Sequence, residues 1–215
     1  GTHRIFGLQF LHYGALNREP GVLLSLEESA NDLRREAARF GWDLKELERQ
    51  RLLAIVEAKP WTEPSKHASA TERLERIATE VGATRVVIDS VPALFQNYPS
   101  EVAASEGARA VAQLCWNLSE KVHATTLLIT KMNSNGNSTA EEDICRGVIE
   151  LRARLVQGVV RRYLLVKKMR ETQHSNRLYV YDFTPRGLAV FNPTSSSWTS
   201  LTQAHGSLEV AEEFL

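Results

Sequence analysis

Cysteine is nearly absent: Cys115 and Cys145 are the only two in 215 residues, and they form no C-x-x-C pair. That excludes a disulfide framework and the common paired-cysteine zinc sites. A reducing cytoplasm is the simplest home for such a chain. Charge of one sign is also lacking. Lys plus Arg number 26 and Asp plus Glu number 26, with a pI near 7.2. The strongly basic surface of a duplex-DNA binder is therefore missing, although a local basic groove remains compatible with zero net charge. Aromatics make up 7% of the chain, and none alternate with basic residues as a single-strand stacking platform would require. Apolar runs such as Arg85–Asp89 and Thr126–Thr130 are strand-length, far short of a membrane span. No basic segment followed by an apolar stretch opens the chain, so no signal peptide is read, and no initiator Met is present. His12, His67, His123 and His205 show no metal-ligand spacing.

The remaining composition is that of an ordinary globular protein, 43% hydrophobic and 24% charged. Ile5 to Leu16 carries Phe6, Phe10 and Tyr13 at helical spacing. Gly21 to Leu26 reads as a buried strand. Ser29 and Asp32 form a capping-box-like start to a helix bearing Leu33, Ala37 and Phe40, which Gly41 ends. A short helix, 44–50, leads to a strand at 52–56. Residues 59–70 read as a loop, 70–81 as a helix, 85–89 as a strand and 92–100 as a loop. A long helix, 101–122, precedes a strand at 125–130 and an Asn/Ser/Gly-rich stretch, 133–139. The pattern then changes. Segments 147–152, 161–167, 177–183 and 188–191 alternate like strands with no helices between them, and Gln157-Gly158 and Pro185-Arg-Gly187 mark turns. The expectation is an α/β fold: a mainly parallel sheet flanked by helices, extended at its C-terminal side by antiparallel strands. Residues 1–191 read as the core and 192–215 as a polar tail.

Three features carry chemistry. Asp89 ends an apolar strand, where a carboxylate faces the ligand crevice of an open α/β sheet and suits Mg²⁺. An Asp opening the turn before Ser90 and Pro92 would give the same pattern. Glu27 and Glu28 end another strand just before a helix, where a carboxylate can polarise an attacking water. Acidic residues near a helix N-terminus are also favoured by its dipole alone. Lys168 and Arg170, two apart on a strand end, point the same way and with His174 would clamp a phosphate. A solvated charge run has the same composition. Against these stands an absence: no Gly-Lys dipeptide occurs, so no phosphate-binding loop G-x-x-x-x-G-K-[ST] is present in these residues.

Taken in order, the motifs resemble the KaiC family of RecA-like P-loop ATPases over residues 5–191. Glu27-Glu28-Ser29 followed by Arg39-Phe-Gly-Trp-Asp-Leu44, the Walker B-like Arg85-Val-Val-Ile-Asp-Ser90, Lys168-Met-Arg170 with Thr172 and His174, and Thr184-Pro-Arg-Gly187 carry that resemblance. It implies ATP and Mg²⁺ as ligands. Glu27, with Glu28 beside it, is then the water-activating residue, and Asp89 the metal carboxylate. Lys168, Met169, Arg170, Thr172, His174 and Thr184 would contact a nucleotide held across a subunit boundary. A homo-oligomeric ring, usually a hexamer, becomes part of the mechanism. Regulatory or signalling protein partners, as in the circadian clock members, are implied too; a membrane is not, and nucleic acid is disfavoured.

Departures accompany the resemblance. Counting back from Leu8-Gln-Phe-Leu11 puts Thr2-His3-Arg4-Ile5 where the family has Gly-Lys-Thr-Thr. The strand and glycine loop preceding it in the family are not in this sequence, and their absence is expected to leave sheet edges unpaired. Glu171 stands at a usual glycine, and Arg146 at a usual aspartate. Glu141, Glu142 and Asp143 occupy the region of hydroxyl residues in self-phosphorylating members. Three readings remain: an ATPase core in a ring, a catalytically dead assembly module, and a RecA-type single-stranded-DNA handler.

Overall fold

The computed structural model describes residues 1–58, 65–94, 100–130, 140–156 and 158–191. It forms two compact units. Of the described residues, one contains those up to 144 with Pro185–Gly187, the other those in 145–184 and 188–191. The Asn/Ser/Gly-rich stretch at 133–139 and the tail from 192 lie outside the described residues.

The first unit is built on four parallel strands, β1 (Gly21–Ser25), β2 (Leu53–Glu57), β3 (Arg85–Asp89) and β4 (Thr125–Ile129), in the order β2-β1-β3-β4. In-register pairing aligns Ser25 with both Glu57 and Asp89. Every residue of β1 is buried, as expected of a strand with neighbours on both sides and helices on both faces. Side-chain alternation divides its core in two. Val22, Leu24, Val86 and Ile88 pack against Leu74, Ala78, Val111, Leu114 and Leu118 from helices α4 (Ser65–Val81) and α6 (Ser100–Glu120). Leu23 and Val87 point the other way, toward Leu8, Leu11 and Ala15 of α1 (Thr2–Leu16) and Leu33 and Ala37 of α2 (Ala30–Ala38). Gly7 lets α1 approach β3 closely: a Cβ there would sit 2.9 Å from Val87.

Local signals explain the element ends. Ser29 caps α2 by accepting from the Asp32 N–H, and the Glu57 carboxylate accepts from the Ala30 N–H at the same helix start. Asp43 caps α3 (Leu44–Arg49) through the Glu46 N–H. The Trp42 ring fills the space beside the turn 185–187. A Cβ on Gly187, whose φ is +119°, would lie 2.5 Å from that ring, so both the backbone and the space demand glycine.

Three short pieces differ from the sequence expectation. Helix α4 begins at Ser65, inside the expected loop. A one-turn helix, α5 (Val91–Leu94), follows β3 where a loop was expected. Another, α7 (Ala140–Ile144), precedes the second unit. Single turns leave too few positions for a periodic pattern to be read.

The second unit is an antiparallel sheet in the order β5-β6-β7-β8, comprising β5 (Gly147–Val156), β6 (Val159–Met169), β7 (Tyr179–Thr184) and β8 (Gly187–Phe191). The antiparallel strands are as expected, but they form their own sheet and do not extend the parallel one. Strands β5 and β6 are much longer than expected, and Gly158 (φ +78°) turns one into the other. Their pairing skips Lys167 between Val148 and Ile149, a β-bulge just before Lys168.

Candidate functional site

The C-terminal ends of β1 and β3 lie side by side, which brings Glu27, Glu28 and Asp89 together around one side chain. What fills the space between them is Arg4, from the first turn of α1. Its Nε donates to Asp89 Oδ2 at 2.7 Å and its Nη1 to Glu28 Oε1 at 3.0 Å. Glu27 Oε2 stands 3.7 Å from Nη2, and Glu36, in the last turn of α2, stands 4.0 Å from Nη1. Four carboxylates thus surround one guanidinium. Asp89 is buried, with only 4% of its surface exposed, so its charge requires an internal partner. Burial opposes the Arg4 charge, but the Asp89 hydrogen bond and the fields of Asp89, Glu28 and Glu36 outweigh it and hold the guanidinium pKa above its ordinary value.

Glu27 is held more loosely by Arg4 than Asp89 and Glu28 are. Its Oε1 accepts from Ser90 Oγ at 3.0 Å, and its side chain is about one-third exposed. Ser25, buried beneath the cluster, donates its hydroxyl to the Glu28 carbonyl at 2.7 Å and ties the turn down.

These residues do not fit a divalent cation as they stand. Asp89 Oδ2 already accepts from Arg4 Nε, so a positive charge stands where a cation would be held. Among the described residues no group of three or more His, Cys, Asp or Glu side chains is arranged to hold a metal.

The second unit carries the remaining candidates. Lys168 and Met169 end β6, but Arg170 already lies in the following turn, so strand alternation does not carry across from Lys168 to Arg170. Arg170 is anchored through its N–H to the Arg146 carbonyl at 2.8 Å. Met169 packs over Gly147, where a Cβ would meet its sulfur at 2.8 Å. Thr172 is exposed and His174 half-buried in the loop that follows, with His174 Nδ1 3.3 Å from the Ser175 carbonyl. Thr184 is the exception to this grouping. The pairs Tyr163–Val180 and Leu164–Tyr179 fix β7 antiparallel to β6, which carries Thr184 toward Val159, at the opposite end of β6 from Lys168.

Arg4 and Glu36 were missed as members of the carboxylate cluster. Arg4 was readable only by position, as the residue standing where the family places a hydroxyl. Glu36 sits within a helix and carried no signal.

A parallel sheet with acidic side chains gathered at its C-terminal edge, and helices on both faces, defines a RecA-like α/β domain. The family model described as KaiC ATPase matches residues 2–195. The UPF0273 protein of Aeropyrum pernix is 31% identical over 205 residues, covering 87% of this chain and 79% of that protein. The circadian clock oscillator protein KaiC of Synechococcus elongatus is 33% identical over 199 residues, and the match spans 37% of its length. The crystal structure of a KaiC-like protein from the hyperthermophilic archaeon Pyrococcus horikoshii superposes with a TM-score of 0.75 at 34% identity, covering 87% of this chain and 83% of that one. The chain belongs to the KaiC family of RecA-like P-loop ATPases, a family of ATP-binding domains.

Proposed function

We propose that this chain is a KaiC-type domain of an oligomeric ring in which Lys168 and Arg170 serve a nucleotide held against a neighbouring copy, while its own carboxylate end is silent in hydrolysis. The observation that carries this reading is Arg4 seated among Asp89, Glu28, Glu27 and Glu36. A water-activating carboxylate works only when a nucleotide and its cation lie beside it, and here a guanidinium takes that place. The ends of β6 and the exposed turn bearing Arg170 keep the cationic chemistry that a neighbour's phosphates would attract. The ring, its hexameric size and a regulatory role are proposed on family likeness.

Sedimentation of the chain with and without ATP tests this. Assembly into a ring with ATP is expected, and Lys168→Ala with Arg170→Ala is expected to abolish it without unfolding either unit. A chain that stays monomeric at saturating ATP, or a double variant that assembles like the parent, contradicts the proposal.

A second reading has one observation in its favour. Glu27 is exposed and stands farther from Arg4 than Asp89 or Glu28 do. Were Arg4 to withdraw on nucleotide binding, Glu27 would be placed to activate water. Magnesium-dependent ATP turnover that Glu27→Gln abolishes would select this reading.

A further inference from the structure

We infer that Arg4 replaces the divalent cation in this chain: one side chain stands in both for the metal and for the hydroxyl that would help to hold it. The inference rests on reading Asp89 as the Walker B carboxylate. Counting back from Leu8-Gln-Phe-Leu11, Arg4 falls at the first hydroxyl position of the family's Gly-Lys-Thr-Thr. A threonine there supplies a neutral oxygen ligand to an ion that brings its own charge. An arginine brings the charge on its own side chain and has no oxygen to offer.

The geometry is that of a counter-ion. Three guanidinium nitrogens serve different carboxylates: Nε meets Asp89 at 2.7 Å, Nη1 meets Glu28 at 3.0 Å, and Nη2 faces Glu27 at 3.7 Å. The carboxylates are therefore held apart by the breadth of a planar fork. Magnesium demands oxygens converging at about 2.0–2.1 Å in an octahedron. Oxygens spaced around a guanidinium cannot converge in that way while it is present. Displacement is opposed by connectivity as well. Arg4 is fixed to the first turn of a helix whose Leu8 and Leu11 are buried in the core, so it is always at hand, whereas an ion must be captured from solution. The Arg4 side chain is 13% exposed and that of Asp89 5%, which leaves little room for both cations.

The test titrates the full chain with Mn²⁺, following the free ion by electron paramagnetic resonance. The parent is expected to bind none at Asp89 up to millimolar ion. Arg4→Thr is expected to gain binding at least about tenfold tighter, of the size that ligand-shell changes produce, and Arg4→Thr with Asp89→Asn to lose it again. Parent binding that Asp89→Asn removes overturns the inference. So does a folded Arg4→Thr that binds no better than the parent, because Arg4 would then not be what excludes the ion. Should Arg4→Thr fail to fold, thermal melting of the parent still decides. An unfolding midpoint unmoved by Mg²⁺ is expected, and a Mg²⁺-dependent rise that Asp89→Asn removes contradicts the inference. Failure of ATP-driven assembly would sink the proposed ring and leave these ion measurements unchanged.

Discussion

Arg146 and Glu171, the two residues that depart most plainly from the family pattern around the Lys168-Met-Arg170 motif, pair with each other: Arg146 Nη2 lies 2.5 Å from Glu171 Oε2. Both side chains are at least 70% exposed, so the pair itself adds little stability. Glu171 also has a φ of +61°, the left-handed conformation that glycine adopts without cost.

Glu171→Gly is therefore expected to be neutral or stabilising, by up to about 1 kcal/mol, as relief of backbone strain exceeds loss of an exposed ion pair. Urea unfolding measures this. A loss of stability of more than about 1 kcal/mol would show that the pair holds the turn in place.

Removing Arg4 has a larger expected cost. Arg4→Ala leaves Asp89 buried without a counter-ion, a change of about 3–5 kcal/mol. Arg4→Met with Asp89→Asn removes both charges and is expected to cost less than the sum of the single changes, the signature of direct coupling. Additive costs in such a cycle would mean that the 2.7 Å contact carries no energy. Because the Arg4 pKa is raised above an already high ordinary value, its contribution is fully present below that ordinary value.

His12 supplies a pH dependence within the working range. Its ring stacks on Trp42, with centroids 5.2 Å apart, and its Nδ1 is buried without a hydrogen-bond partner. Burial lowers its pKa below the ordinary 6.5. The unfolded chain therefore takes up a proton before the folded one does, and the stability linked to neutral His12 is present above pH 6.5 and is lost as pH falls below it. His12→Gln is expected to flatten the fall in urea midpoint between about pH 7.5 and about pH 5.5. An equally steep fall in the variant would place the titration elsewhere.

Much of this was readable because it is local. Arg85–Asp89 was legible as a strand to the residue, since an apolar β-branched run ending in a charge has few alternatives. The Ser29 cap was legible because its partner is three positions away. The split into two sheets was not, because alternation marks a strand and its faces but says nothing of which edge it joins. The role of Arg4 was hidden for a similar reason. Its closest partner is 85 positions away in sequence, and counting along the motif placed Arg4 only at a hydroxyl position of the phosphate-binding loop, whereas the fold turns it onto the carboxylates. Thr184 was grouped with Lys168 by motif order, and only the β6–β7 register separates them.

The central claim, that a guanidinium takes the place of a metal ion at Asp89, is tested most directly by diffraction at the manganese absorption edge from crystals of the full chain grown in Mn²⁺ with an ATP analogue. The account predicts Arg4 Nε against Asp89 Oδ2 and no anomalous density beside that carboxylate. An anomalous peak at ligand distance from Asp89, with Arg4 swung away, would contradict it.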